Sequence, residues 1–319
     1  MTARSLRLWR DHERKWKRRF LHRIGVLWMA KTGDDSWEKS SLEHLKEARI
    51  PFARLPARRL AKRWPQVNFE GVKWAVFEPE SGFLTARLAC QAVVEAFVAE
   101  GGTYMQAAVA AGDLDSGKWP ALRLFAASPK NASTIKADRY VFACGPWMGK
   151  IFPRTIASRI QSTKQDVFFF GTPPGDPRFD EQHLPVWGDH HERFMYGIPG
   201  NEGRGFKIAD DTRGPEFDPT NGERSISQDH LKFAREYMGF RFPGMKNAPL
   251  QEARVCQYEQ TPDSHFIIDR HPESERVWLV AGGSGHGFKH GPALGEMVAK
   301  VIIEDGEPEP LWSLRRFGP

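Results

Sequence analysis

Cysteine is scarce in this 319-residue sequence: Cys90, Cys144 and Cys256 are the only three, odd in number and far apart. That excludes a disulfide framework and a clustered zinc site, so any cysteine with a function acts singly, and a reducing, cytoplasmic setting is expected. No apolar run approaches the ~20 residues that cross a bilayer. The arginine-rich N-terminus lacks the apolar stretch of a secretory signal. There is no internal repeat and no low-complexity segment. Also missing is any Gly-x-Gly-x-x-Gly turn, the strand-to-helix feature that cradles a dinucleotide pyrophosphate.

What is present suits a globular enzyme-sized chain of two intimately built units, with 40% apolar and 27% charged residues. The net charge of +6 is concentrated in "RSLRLWRDHERKWKRRFLHR", Arg4 to Arg23. Basic residues interleaved with aromatics are also the composition of a nucleic-acid patch or a membrane-surface helix. Here Leu6, Trp9, Trp16 and Phe20 recur at near-helical spacing and no nucleic-acid motif follows, so the expectation is a solvated helix packed by that stripe. Neither nucleic acid nor membrane is expected as a partner.

Periodicity then predicts a strand at Arg23–Ala30, short helices from Ser40 and over Leu55–Val67, and an amphipathic helix at Arg87–Glu100. In that last helix Cys90, Val93, Val94 and Phe97 form the apolar stripe. "TYMQAAVAA", from Thr103, reads as a strand, and "YVFACG" as a short buried one closed by Gly145. Between about 165 and 210 the pattern becomes strands joined by Pro/Gly turns, which predicts an antiparallel sheet. "SISQDHLKFAREYM" follows as a helix, then "ARVCQYEQ" and "SHFIID" as strands. "RVWLVAGG" is a fully apolar strand that runs into a glycine turn and a closing helix.

That turn, "VAGGSGHGFKHGPALGEM", crowds five glycines between strand and helix. Gly282, Gly283, Gly285 and Gly287 let backbone N–H groups approach a ligand without a Cβ in the way. The helix behind adds its positive dipole end. Such a site suits an anion, or a ring system that becomes anionic, although a tight strand-to-helix turn also explains the count.

Residues 256–289, "CQYEQTPDSHFIIDRHPESERVWLVAGGSGHGFK", resemble the C-terminal part of the sarcosine oxidase group of flavin amine oxidases. That group lies within the D-amino-acid-oxidase-like family of FAD-dependent oxidoreductases. Weaker similarity runs through "YGIPGNEGRGFKIA", "YVFACGPWMGKI", "VFEPESGFL" and the helix at 87–100, so it covers nearly the whole chain. The implied fold is α/β (α+β): an incomplete Rossmann-like FAD-binding domain (1–25, 85–155 and 262–319) interleaved with an antiparallel-sheet substrate domain (26–84 and 156–261).

The resemblance implies oxidation of the C–N bond of a secondary or primary amino acid, with O2 as acceptor, giving an imine or aldehyde and hydrogen peroxide. By position, Cys256 matches the cysteine that attaches FAD through a thioether. Lys289 matches the lysine that binds the substrate carboxylate, and Lys207 the lysine that activates oxygen. Tyr196 and Tyr258 match tyrosines lining the substrate pocket. Gly283, Ser284, Gly285, His286, Gly287, Phe288 and Lys289, together with Gly145 and Trp147, fall in segments that contact the cofactor. Two departures put sarcosine itself in doubt: Asp211 stands where the group often has histidine, and Trp187 fills a pocket position held by a smaller residue.

The resemblance starts downstream of the family's dinucleotide unit, and the expectation is a chain lacking that segment or a possible oligomer that compensates for it. Rival readings are a dehydrogenase using another acceptor and an inactive flavin-oxidase remnant serving as a binding or subunit protein.

Overall fold

The computed structural model describes residues 1–31, 33–109, 114–119, 121–125, 132–190 and 193–318. Its centre is an eight-stranded sheet. The strand Gln161–Phe170 pairs antiparallel with Leu250–Gln260 on one side and with Phe206–Asp210 on the other. Beyond Phe206–Asp210 come Phe194–Ile198, Val186–His190, Val26–Lys31, Val72–Glu78 and Ala53–Pro56. Every pair is antiparallel except Val186–His190 beside Val26–Lys31.

Alternation along these strands sorts their residues onto two faces. Phe168, Phe170, Phe206, Ile208, Met195 and Trp187 point to one side and are buried with Ala234, Tyr237 and Met238 of the helix Gln228–Arg241. Ser227 opens that helix by accepting the His230 N–H at 3.3 Å. Each large apolar side chain buried there contributes about 1.5–3 kcal/mol. One polar knot sits inside this core. Arg241 and Asp189 are both fully buried with N···O at 2.8 Å. Tyr237 donates to the same carboxylate at 2.7 Å, and Arg241 also donates to the carbonyls of Asn68 and Glu70.

A second, three-stranded sheet is ordered Ile267–His271, Ser274–Ala281, Tyr140–Phe142, the last two parallel. Phe142, Phe152, Ile156, Val277 and Leu279 fill its core. Both parallel strands run out into glycine turns at the same edge, at Gly145 and Gly282. The helix Gly291–Ile303 leaves the second turn, and the N-terminal helix Thr2–Trp16 packs beside it. A small sheet joins Ala108–Val109, Leu122–Phe125 and Ala132–Ile135. Among the described residues no helix is long and apolar enough to cross a membrane.

Several expectations are corrected. The N-terminal helix stops at Trp16, because Lys17 turns left-handed (φ 52°) and the Glu13 carboxylate accepts the N–H groups of Phe20 and Leu21. Phe20 therefore belongs to the segment beyond the helix. The segment read as a helix over 55–67 is helical only over Ala57–Arg63, since Ala53–Pro56 is an edge strand. The strand expected from Thr103 is confined to Ala108–Val109, and its end at 110–111 lies outside the described residues, as do His191 and Glu192 of the later strand segment. The helix Ala86–Ala99 buries Ala89 and Ala92, while Cys90, Val93 and Phe97 face outward. Close approach to Trp9 and Phe20 selects the small residues for the inner face.

The polar knot yields a testable outcome. Asp189→Ala strands the Arg241 guanidinium without its counter-charge in an apolar core, and should destabilise the fold by about 3–5 kcal/mol. A urea midpoint within experimental error of the parent protein refutes that role.

Candidate active site

The sheet face opposite the aromatic core carries the chemistry. Register places Gln165 opposite Cys256, Thr163 opposite Tyr258, Phe169 opposite Lys207, and Tyr196 opposite Ala209. Paired residues share a side, and so do residues two apart along a strand. Cys256 and Tyr258, Lys207 and Ala209, and Tyr196 therefore lie on one face, with Asp211 next in the alternation. Cys256 and Tyr196 are half-buried against Val167, Phe169 and Ala209. The Lys207 ammonium lies 4.9 Å from the centre of the Tyr196 ring. The Tyr196 and Tyr258 hydroxyls are 3.3 Å apart, and Tyr258 donates to Asp211 Oδ1 at 3.3 Å. Burial, then the neighbouring Tyr196 and Asp211, pushes the Tyr258 phenol well above its ordinary range, so it stays a neutral donor.

The glycine turn closes over this face. Gly285 has φ 78°, and a Cβ there would sit 2.3 Å from the Tyr258 ring. Gly282 has φ 76°, with the His265 carbonyl 2.8 Å from where its Cβ would be. These two glycines are required by backbone conformation and by close approach. The short helix Gly287–His290 then carries Lys289, whose Nζ donates to the His286 carbonyl at 3.2 Å. Burial lowers the Lys289 pKa, and Asp211 opposes that shift. Burial also lowers the pKa of His286, and it drives His290 down to about 4. The N-terminal helix braces this turn from behind: Trp9 donates to the Lys289 carbonyl at 3.0 Å and Ser5 to the His290 carbonyl at 3.2 Å.

Lys207, Tyr196, Tyr258 and Cys256 thus share one sheet face, Gly285 of the glycine turn meets it at the Tyr258 ring, and His286 and Lys289 of that turn lie near enough to Asp211 for their charges to interact. Phe288 is at the back of the turn, stacked on Trp9 and partly exposed. The turn at Gly145 approaches from the parallel neighbour strand, and Trp147 there donates to Thr220 at 3.1 Å. Trp187 is not in the cleft. Its indole is buried on the opposite face against Phe206, Tyr237 and Phe242, because register puts it on the core side of its strand.

A second correction concerns the backbone donors. The N–H groups of Gly282 and Gly283 go to the Glu259 carboxylate at 2.9 and 3.4 Å, and Ser284 N–H goes to the Glu259 carbonyl. His286 and Gly287 N–H both go to the Gly283 carbonyl. Much of the turn's donor set is therefore satisfied within the protein. Glu259, unforeseen from the sequence, is buried, and its Oε1 has no partner among the described residues. Burial pushes its carboxyl up to about 7, and the two glycine N–H bonds only partly offset that.

The sequence profile of the DAO family, FAD dependent oxidoreductase, matches residues 1–301. The chain belongs to this family. Over 316 residues it is 28% identical to the monomeric sarcosine oxidase of Bacillus sp. (strain B-0618), covering 95% of this chain and 77% of that one. It is 27% identical over 282 residues to the N-methyl-L-tryptophan oxidase of Yersinia pestis (strain Pestoides F), covering 84% and 70%. Among solved structures, L-proline dehydrogenase from P. horikoshii superposes with a TM-score of 0.81 at 21% identity, over 99% of this chain and 82% of that one. Glycine oxidase from Geobacillus kaustophilus superposes at 0.76 and 18%, over 98% and 82%. Both share the fold of this family member.

FAD fits the residues on the ring side. Gly145 (φ 53°) and Gly283 have no heavy atom within 4 Å of where a Cβ would stand, so both turns leave open backbone at the ends of the parallel strands. Cys256 is half-buried on the sheet face that also carries Lys207. For the pyrophosphate, the described turns offer no Gly-x-Gly-x-x-Gly cradle.

Glu259 gives a stability test with a definite sign. Its folded pKa of about 7 lies above the ordinary 4.5, so its favourable contribution is complete below pH 4.5 and disappears as pH rises through 7. Glu259→Gln keeps an acceptor for the glycine amides and removes the ionisation. The variant should match the parent near pH 4.5 and exceed it by at most about 3 kcal/mol above pH 7. Equal curves at both pH values overturn the assignment.

Proposed function

We propose that this family member oxidises the C–N bond of a secondary or primary amino acid, passes the electrons to O2, and releases an imine or aldehyde and hydrogen peroxide. The carrying observation is the single cleft in which Lys207, Tyr196, Tyr258 and Cys256 on one sheet face meet Lys289 on the glycine turn. The oxidase names of the sequence relatives support the reading. The cofactor side is assigned to 1–25, 85–155 and 262–319, and the substrate side to 26–84 and 156–261.

FAD, when bound, would supply the two-electron chemistry between the carbon beside the amine and the acceptor. The protein's own part is positioning and charge. Lys289 binds the substrate carboxylate, which restores the charged form that burial disfavours. Tyr258 and Tyr196 present hydroxyls to the polar end of the substrate. Lys207, set over the Tyr196 ring, places a positive charge where oxygen is reduced. Cys256 holds the cofactor by a thioether.

The FAD-loaded protein tests these roles. Its flavin should remain with the acid-precipitated chain, and Cys256→Ser should release it; full release from the parent protein sinks the thioether. Lys207→Met should slow peroxide formation by about 10²–10³-fold while leaving anaerobic reduction by substrate nearly unchanged. An equal loss in both steps assigns Lys207 to substrate chemistry instead.

A further inference from the structure

Asp211 lies in the cleft and plays no part in the scheme above. It follows Lys207 and Ala209 on the cleft face, and its amide is fixed by a 2.9 Å bond to the Phe194 carbonyl. Tyr258 donates to its Oδ1 at 3.3 Å. No lysine, arginine or histidine nitrogen among the described residues lies within 4.0 Å of its carboxylate. The nearby cations are directed elsewhere. Arg193 pairs with Asp210 at 3.1 Å, Lys289 donates to the His286 carbonyl, and Lys207 faces the Tyr196 ring. Arg213 reaches Gln260 and the Thr261 carbonyl. Burial lowers the pKa of His286, which weakens its charge toward Asp211.

The result is an acid that is open to the cleft and has no close ion-pair partner. Crowding by the surrounding protein raises its pKa and Asp210 next to it adds to the shift, while the Tyr258 hydrogen bond and the charges of His286 and Lys289, beyond ion-pair distance, oppose it. A bound cation relieves both effects. The α-amine of the substrate is poorly suited to be that cation, because the nitrogen lone pair must be free to assist loss of hydride from the neighbouring carbon. A carboxylate gripping the α-ammonium holds the proton in place.

We propose that Asp211 is a specificity residue that selects amino acids bearing a second positive group, an ammonium or guanidinium on the side chain or the N-substituent. The proposal rests on the reading of this cleft as an amino-acid site. Lys289 takes the α-carboxylate at one end and Asp211 takes the distal cation at the other, and the two charges in the protein stand in the reverse order to those in the ligand. Tyr258, hydrogen-bonded to Asp211, lies against Gly285 of the turn that leads to Lys289.

L-Lysine and L-norleucine, which differ in the distal ammonium alone, provide the probes, with binding to the full-length chain measured by titration calorimetry at neutral pH. Lysine should bind about fivefold more tightly than norleucine, the upper end of what one partly screened ion pair gives. Asp211→Asn should bring the two within about twofold, and Asp211→Glu should keep the preference. Equal binding by the parent chain, or a preference for norleucine, overturns charge selection and leaves the amino-acid site standing. Persistence of the lysine preference in Asp211→Asn also overturns it. Failure of both ligands to bind overturns the amino-acid site, and the selection with it.

Discussion

The register of Gln161–Phe170 against its two neighbours is the constraint on which the site depends. A slip by one residue on either side exchanges the faces. Lys207 would then enter the aromatic core and Ile208 would face the cleft. Phe168, Phe170, Phe206 and Ile208 prevent this, since their burial beneath the helix Gln228–Arg241 holds the strands in place. The face that carries Lys207, Tyr196 and Tyr258 is therefore stabilised from behind, by residues buried on the opposite side of the sheet.

Two buried acids show how differently the fold treats charge. Asp189 is matched by Arg241 and Tyr237 within hydrogen-bond distance, so its charge is tolerated in a dry core. Glu259 has only two glycine N–H groups and an unpartnered second oxygen, and its proton is retained to about neutral pH. The first acid fixes helix to sheet. The second fixes the end of a long strand to the glycine turn, and so sets the height of Lys289 above the tyrosines. At the end of the neighbouring parallel strand, burial and then the charge of the same acid push the Cys144 thiol up.

Much of this was legible in the sequence. Alternating strands, the glycine turn and the run from Cys256 to Lys289 pointed to an α/β chain with a flavin-type cleft, and the strands form where those patterns lie. What escaped were contacts that no local pattern encodes. Glu259 captures amides 23 residues away. Trp187 shares a side of its strand with Asp189, an acid that alternation assigns to solvent, so parity alone did not point that side into the core. Glu13 ends its helix by accepting backbone donors beyond it, where periodicity suggested continuation. In the helix Ala86–Ala99 the large residues resembled the core stripe, yet the tight approach of Trp9 and Phe20 admitted only alanines.

Lys289 and Asp211 stand on separate elements, one on the turn after Ala281 and one just past the strand Phe206–Asp210, and Tyr258 donates to the second. A molecule held at two such points could not rotate end over end. It could still turn about the line that joins them, so either enantiomer could satisfy both. Handedness would then rest on a third contact, with the sheet face that carries Cys256 and Lys207.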